Sequence, residues 1–139
     1  MRMPEDMPRG DKARPLDGLR VLIVEDEYFQ AREISVSLCD AGAEVIGPVA
    51  RAEQIAQLVA ARGVDVAMLD INLGDGACFL AARSMRESGI PFLFLTGYDV
   101  SIIPDDLSEP PRLEKPVDHE RLVERLAGLI AGAGGSGQG

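Results

Sequence analysis

Five polar residues carry side chains suited to metal binding, nucleophilic attack or stabilisation of negative charge. They are Glu25, Asp26, Asp70, Thr96 and Lys115. Carboxylates coordinate hard cations and act as nucleophiles. A hydroxyl group and an ammonium group stabilise negatively charged oxygens through hydrogen bonds and charge. Because these residues are far apart in the sequence, they can act together only if the fold brings them to one place.

The segments between these residues alternate between two kinds of pattern. Nearly continuous apolar runs predict buried parallel strands over residues 19–24, 44–49, 64–69 and 91–95. Amphipathic spacing predicts helices over residues 31–41, 52–62 and 77–88, and a last helix begins at Asp118, a favourable N-cap. Pro104, Pro110 and Pro111 interrupt the stretch before the fifth strand, so we expect a short or irregular fourth helix.

This alternation predicts an α/β fold, a doubly wound, five-stranded parallel sheet with helices on both faces. Ligands of such sheets bind beyond the carboxyl ends of the strands. The candidate residues occupy those ends: Glu25 and Asp26 follow the first strand, Asp70 the third, Thr96 the fourth and Lys115 the fifth. The sequence therefore predicts that all five meet at one end of the sheet.

Three carboxylates at one place repel each other unless a cation lies among them. Mg²⁺, or Mn²⁺ in its place, prefers oxygen ligands from one or two carboxylates, a carbonyl group and waters. Asp26, Asp70 and the backbone at Asn72 offer such a set, and Glu25 would act directly or through water. We expect a divalent metal site there.

A carboxylate beside a metal ion is a competent nucleophile toward phosphorus, which makes Asp70 the candidate phosphoacceptor. Thr96 would donate a hydrogen bond to the phosphoryl oxygens, and Lys115 would supply a positive charge. Each residue taken alone has an ordinary explanation as a solvated loop acid, a helix cap, a turn residue or an exposed lysine. Their joint placement at successive strand ends favours function.

Composition narrows the class of partner. The chain has 14 basic and 23 acidic residues, and the net charge of −9 disfavours nucleic acid. No apolar run approaches the ~20 residues of a membrane span, so we expect a cytoplasmic protein without membrane contact. Residues 1–18 and the Gly-rich residues 132–139 predict a disordered N-terminal extension and a flexible tail around one domain, residues 19–131.

The motifs VLIVED, MLDINLGDG, FLTGY and LEKP resemble those of response regulator receiver domains, and the resemblance extends over residues 19–131. It implies a flavodoxin-like, CheY-like (βα)5 fold. It also implies phosphotransfer from a sensor histidine kinase to Asp70 and signalling within a phosphorelay, without metabolic catalysis. A cis peptide bond between Lys115 and Pro116 is common at this place in the family.

The chain departs from the usual receiver in its switch residues. Arg112 stands three residues before Lys115, where the family commonly has an aromatic residue. The nearest aromatic residue is Tyr98, which follows Thr96 and the flexible Gly97. We therefore hypothesise that Thr96, Gly97 and Tyr98 form the switch. Phosphorylation would then change the degree to which residues 97–111 are structurally ordered.

The segment PFLFLTGY resembles a receiver subfamily that carries Phe-Ala-Thr-Gly, an uncharged residue and then Tyr. Here Leu95 replaces the alanine, and Tyr98 follows Gly97 directly. Members of that subfamily are often stand-alone receivers paired with sensor histidine kinases of the HWE and related types. The resemblance thus implies a kinase partner of this kind.

Only eight residues follow position 131, so we expect no output domain and an output through contact with another protein. Phe29, Arg32 and Val36 form a second stripe on the first helix. That stripe suits docking of a helical phosphotransfer domain, although partial burial explains it equally well. The downstream protein and the oligomeric state stay open.

Two other functions fit parts of the pattern. A phosphohydrolase that forms an aspartyl-phosphate also places its nucleophile at a strand end, but it usually has a second aspartate two residues later, where this chain has Asn72. A binding module of the same fold would work without phosphorylation. The complete set of candidate acceptor and ligand residues argues against that alternative.

Overall fold

The computed structural model describes residues 14–72, 77–97 and 102–137. Five strands form one sheet in the order β2-β1-β3-β4-β5, and every neighbouring pair is parallel. The strands are β1 (Arg20–Val24), β2 (Glu44–Val49), β3 (Val66–Asp70), β4 (Phe92–Thr96) and β5 (Arg112–Glu114). The predicted α/β sheet is confirmed, with boundaries that differ from the predicted ones by no more than two residues at β1 to β4.

Four α-helices accompany the strands: α1 (Tyr28–Asp40), α2 (Ala52–Arg62), α3 (Ala77–Glu87) and α4 (His119–Gly137). Asp118 caps α4 as predicted, because its Oδ1 accepts the backbone N–H groups of Glu120 and Arg121 at 3.0 and 3.2 Å. Within the described part of the chain, no helix combines the length and the apolarity needed to cross a bilayer.

Alternating residues of the central strands enter two separate cores. Leu22 of β1 packs in the core that includes Ile55 of α2 and Met85 of α3. Its neighbour Ile23 packs in the other core, with residues of α1 and α4 such as Leu122. The helices therefore cover both faces of the sheet, as the nearly continuous hydrophobicity of the strands predicts.

The chain order reverses at β1, which lies between β2 on one side and β3 on the other. Such a reversal opens a crevice beyond the carboxyl ends of β1 and β3, because the connections leave toward opposite sides. Glu25 follows β1 directly, and Asp70 is the last residue of β3. The topology thus places these two carboxylates on either side of one crevice.

The prediction of disorder over residues 1–18 is wrong for residues 14–18. Leu16 is completely buried in the core beside α1 and α4, and its backbone N–H donates to the carbonyl of Ala41 at 2.9 Å. Gly42 meets the same segment with φ of 100°, and a Cβ there would lie 2.7 Å from the Cα of Asp17. The composition of a segment is an average, so it does not reveal that a single apolar residue such as Leu16 is buried.

The C-terminal boundary also differs from the expectation. Helix α4 continues to Gly137 and so includes residues 132–137 of the predicted flexible tail. Glycine lowers helix propensity, which is why the composition predicts a tail. Extending an existing helix costs far less than nucleating one, so a long helix can incorporate such residues.

In the connection before β5, the described residues 102–111 include a short 3₁₀ turn, Asp105–Leu107, and no α-helix. This agrees with the expected short or irregular fourth helix. Asp106 holds the turn against α3, because Arg83 donates to both of its carboxylate oxygens, at 3.0 and 3.1 Å. Arg86 adds a contact at 3.3 Å, and Leu107 is completely buried.

We expect Leu16→Ala to lower the free energy of unfolding by about 2–5 kcal/mol, since it removes a fully buried side chain and leaves a cavity. Leu80→Ala is the matched control, because Leu80 is 58% exposed and its loss should change stability by no more than about 0.5 kcal/mol. Urea denaturation measures both variants. Equal stability of the two would show that residues 14–18 do not belong to the domain.

Candidate functional site

The predicted acidic residues meet at the crevice between β1 and β3. Glu25, Asp26 and Asp70 each offer a carboxylate oxygen, and these oxygens lie within 4.8 Å of one another. Glu25 is 3% exposed and Asp70 is 2% exposed, whereas Asp26 is exposed. Two carboxylates are therefore held out of water, and the third faces it.

Asp70 has two donors on the same oxygen. The Nζ of Lys115 lies 2.8 Å from Oδ1, and the backbone N–H of Asn72 donates to Oδ1 at 3.0 Å. The ion pair is largely buried, because Lys115 is 19% exposed. Neither of these two donors uses Oδ2.

Lys115 reaches Asp70 because β5 is aligned with β4. Thr96 at the end of β4 pairs with Glu114, and the backbone N–H of Lys115 donates to the carbonyl of Thr96 at 2.7 Å. The bond between Lys115 and Pro116 is cis, as the resemblance implies. The backbone thus fixes the lysine beside the strand end that carries Thr96.

Thr96 is a polar residue in an apolar place. It is 1% exposed, and among the described residues its hydroxyl group has no hydrogen-bond partner. A buried hydroxyl without a partner is costly, so its place at the strand end favours a ligand there. Gly97 follows it, and a Cβ at Gly97 would lie 3.7 Å from the side-chain nitrogen of Asn72. Tyr98 lies outside the described residues.

Glu25 accepts a hydrogen bond on each of its two carboxylate oxygens. Its Oε2 accepts the backbone N–H of Glu27 at 3.0 Å, and its Oε1 accepts a hydrogen bond from the side-chain amide of Gln30. Burial, followed by the hydrogen bond with Asp70, raises the pKa of Glu25 to about 7, although both amide donors oppose the rise. Without a cation, the Glu25 carboxyl group therefore tends to retain a proton up to about pH 7.

Sequence reasoning did not identify Gln30 as a site residue. Its signal is a polar amide five positions after Glu25, in the first turn of the helix that begins just after the acidic pair. Glu27 explains that position, because its side chain caps α1 by accepting the backbone N–H of Gln30 at 2.7 Å. The cap brings the glutamine side chain back toward the acids.

The metal-ligand atoms that this cluster offers suit a hard divalent cation. Its side-chain ligands are carboxylate oxygens, which suit Mg²⁺ or Mn²⁺ better than softer metals. A cation would also stabilise the ionised form of Glu25, whose pKa is raised by burial first and by Asp70 second. The ligand role of the Asn72 carbonyl stays a prediction.

A family model described as the response regulator receiver domain matches residues 21–127. The chain therefore belongs to the receiver domain family of two-component signalling.

Individual relatives agree with that assignment. Over 123 residues the chain is 28% identical to the sensor protein TorS of Escherichia coli (strain K12), covering 84% of this chain but only 13% of that protein. The solution structure of SdrG from Sphingomonas melonis Fr1 is 29% identical with a TM-score of 0.68, covering 81% of this chain and 96% of that chain. A response regulator receiver protein from Sinorhizobium medicae WSM419 has a TM-score of 0.71 at 23% identity, covering 85% and 98%, and shows the fold.

We expect Glu25 to make the metal-free protein less stable as the pH rises. Its pKa is about 7 in the folded chain, against an ordinary value of 4.5. Between these values the folded state binds more protons than the unfolded state. The free energy of unfolding contributed by this group is therefore fully present at low pH, falls as the pH rises through about 7, and is lost above it.

Denaturation at about pH 5 and about pH 8 in the absence of divalent metal measures this loss. Glu25→Gln cannot titrate and should show a smaller decrease than the wild type. Glu109→Gln makes the same change at an exposed residue and should keep the decrease. An undiminished decrease in Glu25→Gln would contradict the assignment to Glu25.

Proposed function

We propose that this chain accepts a phosphoryl group from a sensor histidine kinase on Asp70, in a Mg²⁺-dependent reaction, and signals through protein contacts in a phosphorelay in the cytoplasm. The observation that carries the proposal is the environment of Asp70. This carboxylate is buried, accepts Lys115 and the backbone N–H of Asn72 on Oδ1, and lies beside two further carboxylates. The similarity to part of a sensor protein supports a signalling setting.

The reaction proceeds by in-line displacement at phosphorus. Oδ2 of Asp70 forms the new P–O bond, the N–P bond of the phosphohistidine breaks, and its electron pair returns to the imidazole nitrogen. Lys115 and the hydroxyl of Thr96 stabilise phosphoryl oxygens at the same strand ends. A bound Mg²⁺ would offset the charge of the carboxylates and of the incoming group. Glu25, Asp26, Asp70 and the Asn72 carbonyl would hold that ion.

The exposed side of α1 is the proposed contact for the phosphoryl donor. Phe29 is 71% exposed and Val36 is 52% exposed, and Arg32 between them is exposed as well. Their exposure favours docking over burial as the explanation of this stripe. Its apolar and basic character suits a helical phosphotransfer domain, because helices pack through such periodic anchors. A kinase of the HWE type is the partner implied by the PFLFLTGY segment.

The site favours a switch over an enzyme that turns over a substrate. A phosphohydrolase with this nucleophile would typically have a general acid two residues later. Asn72 at that position provides an amide, which neither accepts nor releases a proton near neutral pH. Turnover of a small phosphate ester would support the hydrolase, and partner binding insensitive to phosphorylation would support a passive module.

We expect the purified protein to gain one phosphoryl group from a phosphohistidine donor or a small acyl phosphate, and only when Mg²⁺ is present. Asp70→Ala should abolish the gain, because it removes the nucleophile. Asp40→Ala, which removes an exposed aspartate at the end of α1, should be labelled like the wild type. Intact-mass measurement with and without a chelator follows the reaction. Undiminished labelling of Asp70→Ala would disprove the acceptor.

Phosphorylation of Asp70 is proposed to change the protein surface through Thr96, Gly97 and Tyr98. Arg112 is exposed on β5, so the chain has no aromatic residue at the place where the family usually has its moving side chain. Phosphorylation would draw the buried Thr96 hydroxyl toward the phosphoryl group and bias the segment that follows.

We expect beryllofluoride, which mimics an acyl phosphate, to change hydrogen-exchange protection over residues 97–111. The segment connects the end of β4 at Thr96 to the beginning of β5 at Arg112, and its described residues include no helix longer than the 3₁₀ turn Asp105–Leu107. Tyr98→Ala should reduce signalling without preventing phosphorylation. Unchanged protection over the segment, or normal signalling by Tyr98→Ala, would rule out this route.

A further inference from the structure

Gln30 links the beginning of α1 to the acidic cluster. Its side-chain amide donates to Oε1 of Glu25, while its backbone N–H donates to Oε1 of Glu27 at 2.7 Å. The backbone N–H of Glu27 in turn donates to Oε2 of Glu25 at 3.0 Å. Three hydrogen bonds therefore join these three residues, and two of them end on the buried carboxylate.

This arrangement fixes the Glu25 carboxylate more firmly than burial alone would. A carboxylate accepts about four hydrogen bonds or ligand contacts, two on each oxygen. One position on each oxygen is taken by an amide donor, and the neighbouring carboxylates of Asp26 and Asp70 lie within 4.8 Å. The carboxylate thus has a fixed orientation and retains acceptor capacity on both oxygens.

Removing the amide would leave Glu25 with the single donor from Glu27. Its carboxylate would then be held through Oε2 alone and could rotate away from its present orientation. Loss of an outer donor that orients a metal ligand typically weakens metal binding by about 10- to 100-fold. Half-buried Gln30 is the side chain in that position here.

We propose that Gln30 is a positioning residue for the metal site, because its amide holds the Glu25 carboxylate in the orientation that receives a divalent cation or a water bound to it. The inference rests on the proposed function only in taking the acidic cluster as a Mg²⁺ site. It assigns a role to a residue that touches neither the phosphoacceptor nor the exposed Asp26 among the described contacts.

The test is a calorimetric titration of the unphosphorylated protein with Mg²⁺ alone. Gln30→Met keeps the length and helix propensity of the side chain but removes the donor, and we expect its Mg²⁺ affinity to be about tenfold weaker. Gln54→Met makes the same change at an exposed residue of α2 and should bind like the wild type. Gln30→Leu repeats the measurement, and urea denaturation verifies that each variant is folded.

A double-mutant cycle separates positioning from a general effect on the fold. In the Glu25→Gln background, Gln30→Met should change Mg²⁺ affinity by less than twofold, because the residue through which it acts is already replaced. Wild-type affinity in both Gln30 variants, or the same tenfold loss in the Glu25→Gln background, would overturn the inference. Failure of the proposed function would instead appear in the wild type, as absent Mg²⁺ binding or absent labelling of Asp70.

Discussion

The structure depends on holding two buried carboxylates next to each other. Glu25 and Asp70 are almost completely buried, and a negative charge on Asp70 opposes ionisation of Glu25. Lys115 compensates for part of this charge, but among the described contacts its ion pair is with Asp70 and not with Glu25. The remaining negative charge, together with Asp26, makes the crevice a place where a bound cation would lower the free energy of the folded state.

The layered core is what makes this concentration of charge possible. β1 and β3 lie side by side in the sheet, and their residues pack in both cores. Their ends are therefore fixed by apolar contacts made some distance from the acids. Because burial of apolar surface provides most of the stability of a domain, the crevice can carry an unfavourable arrangement of charges without unfolding it.

The elements and the site were predictable from sequence to different degrees. Strand ends were visible because buried parallel strands are continuous apolar runs, and a general rule places ligands at their carboxyl ends. Leu16 was missed because one buried side chain does not change the composition of its segment. Gln30 was missed because its role comes from the Glu27 cap, which exists only once α1 has formed. Tyr98 stays a prediction.

The ion pair of Lys115 joins the middle of the sheet to its margin. β5 has three residues and lies at the edge, whereas β3 is central and all five of its residues are buried. A phosphoryl group on Asp70 would add negative charge beside the ammonium group. On the proposed function, the modification would then act as a reversible cross-link between the buried centre of the sheet and its short edge strand β5.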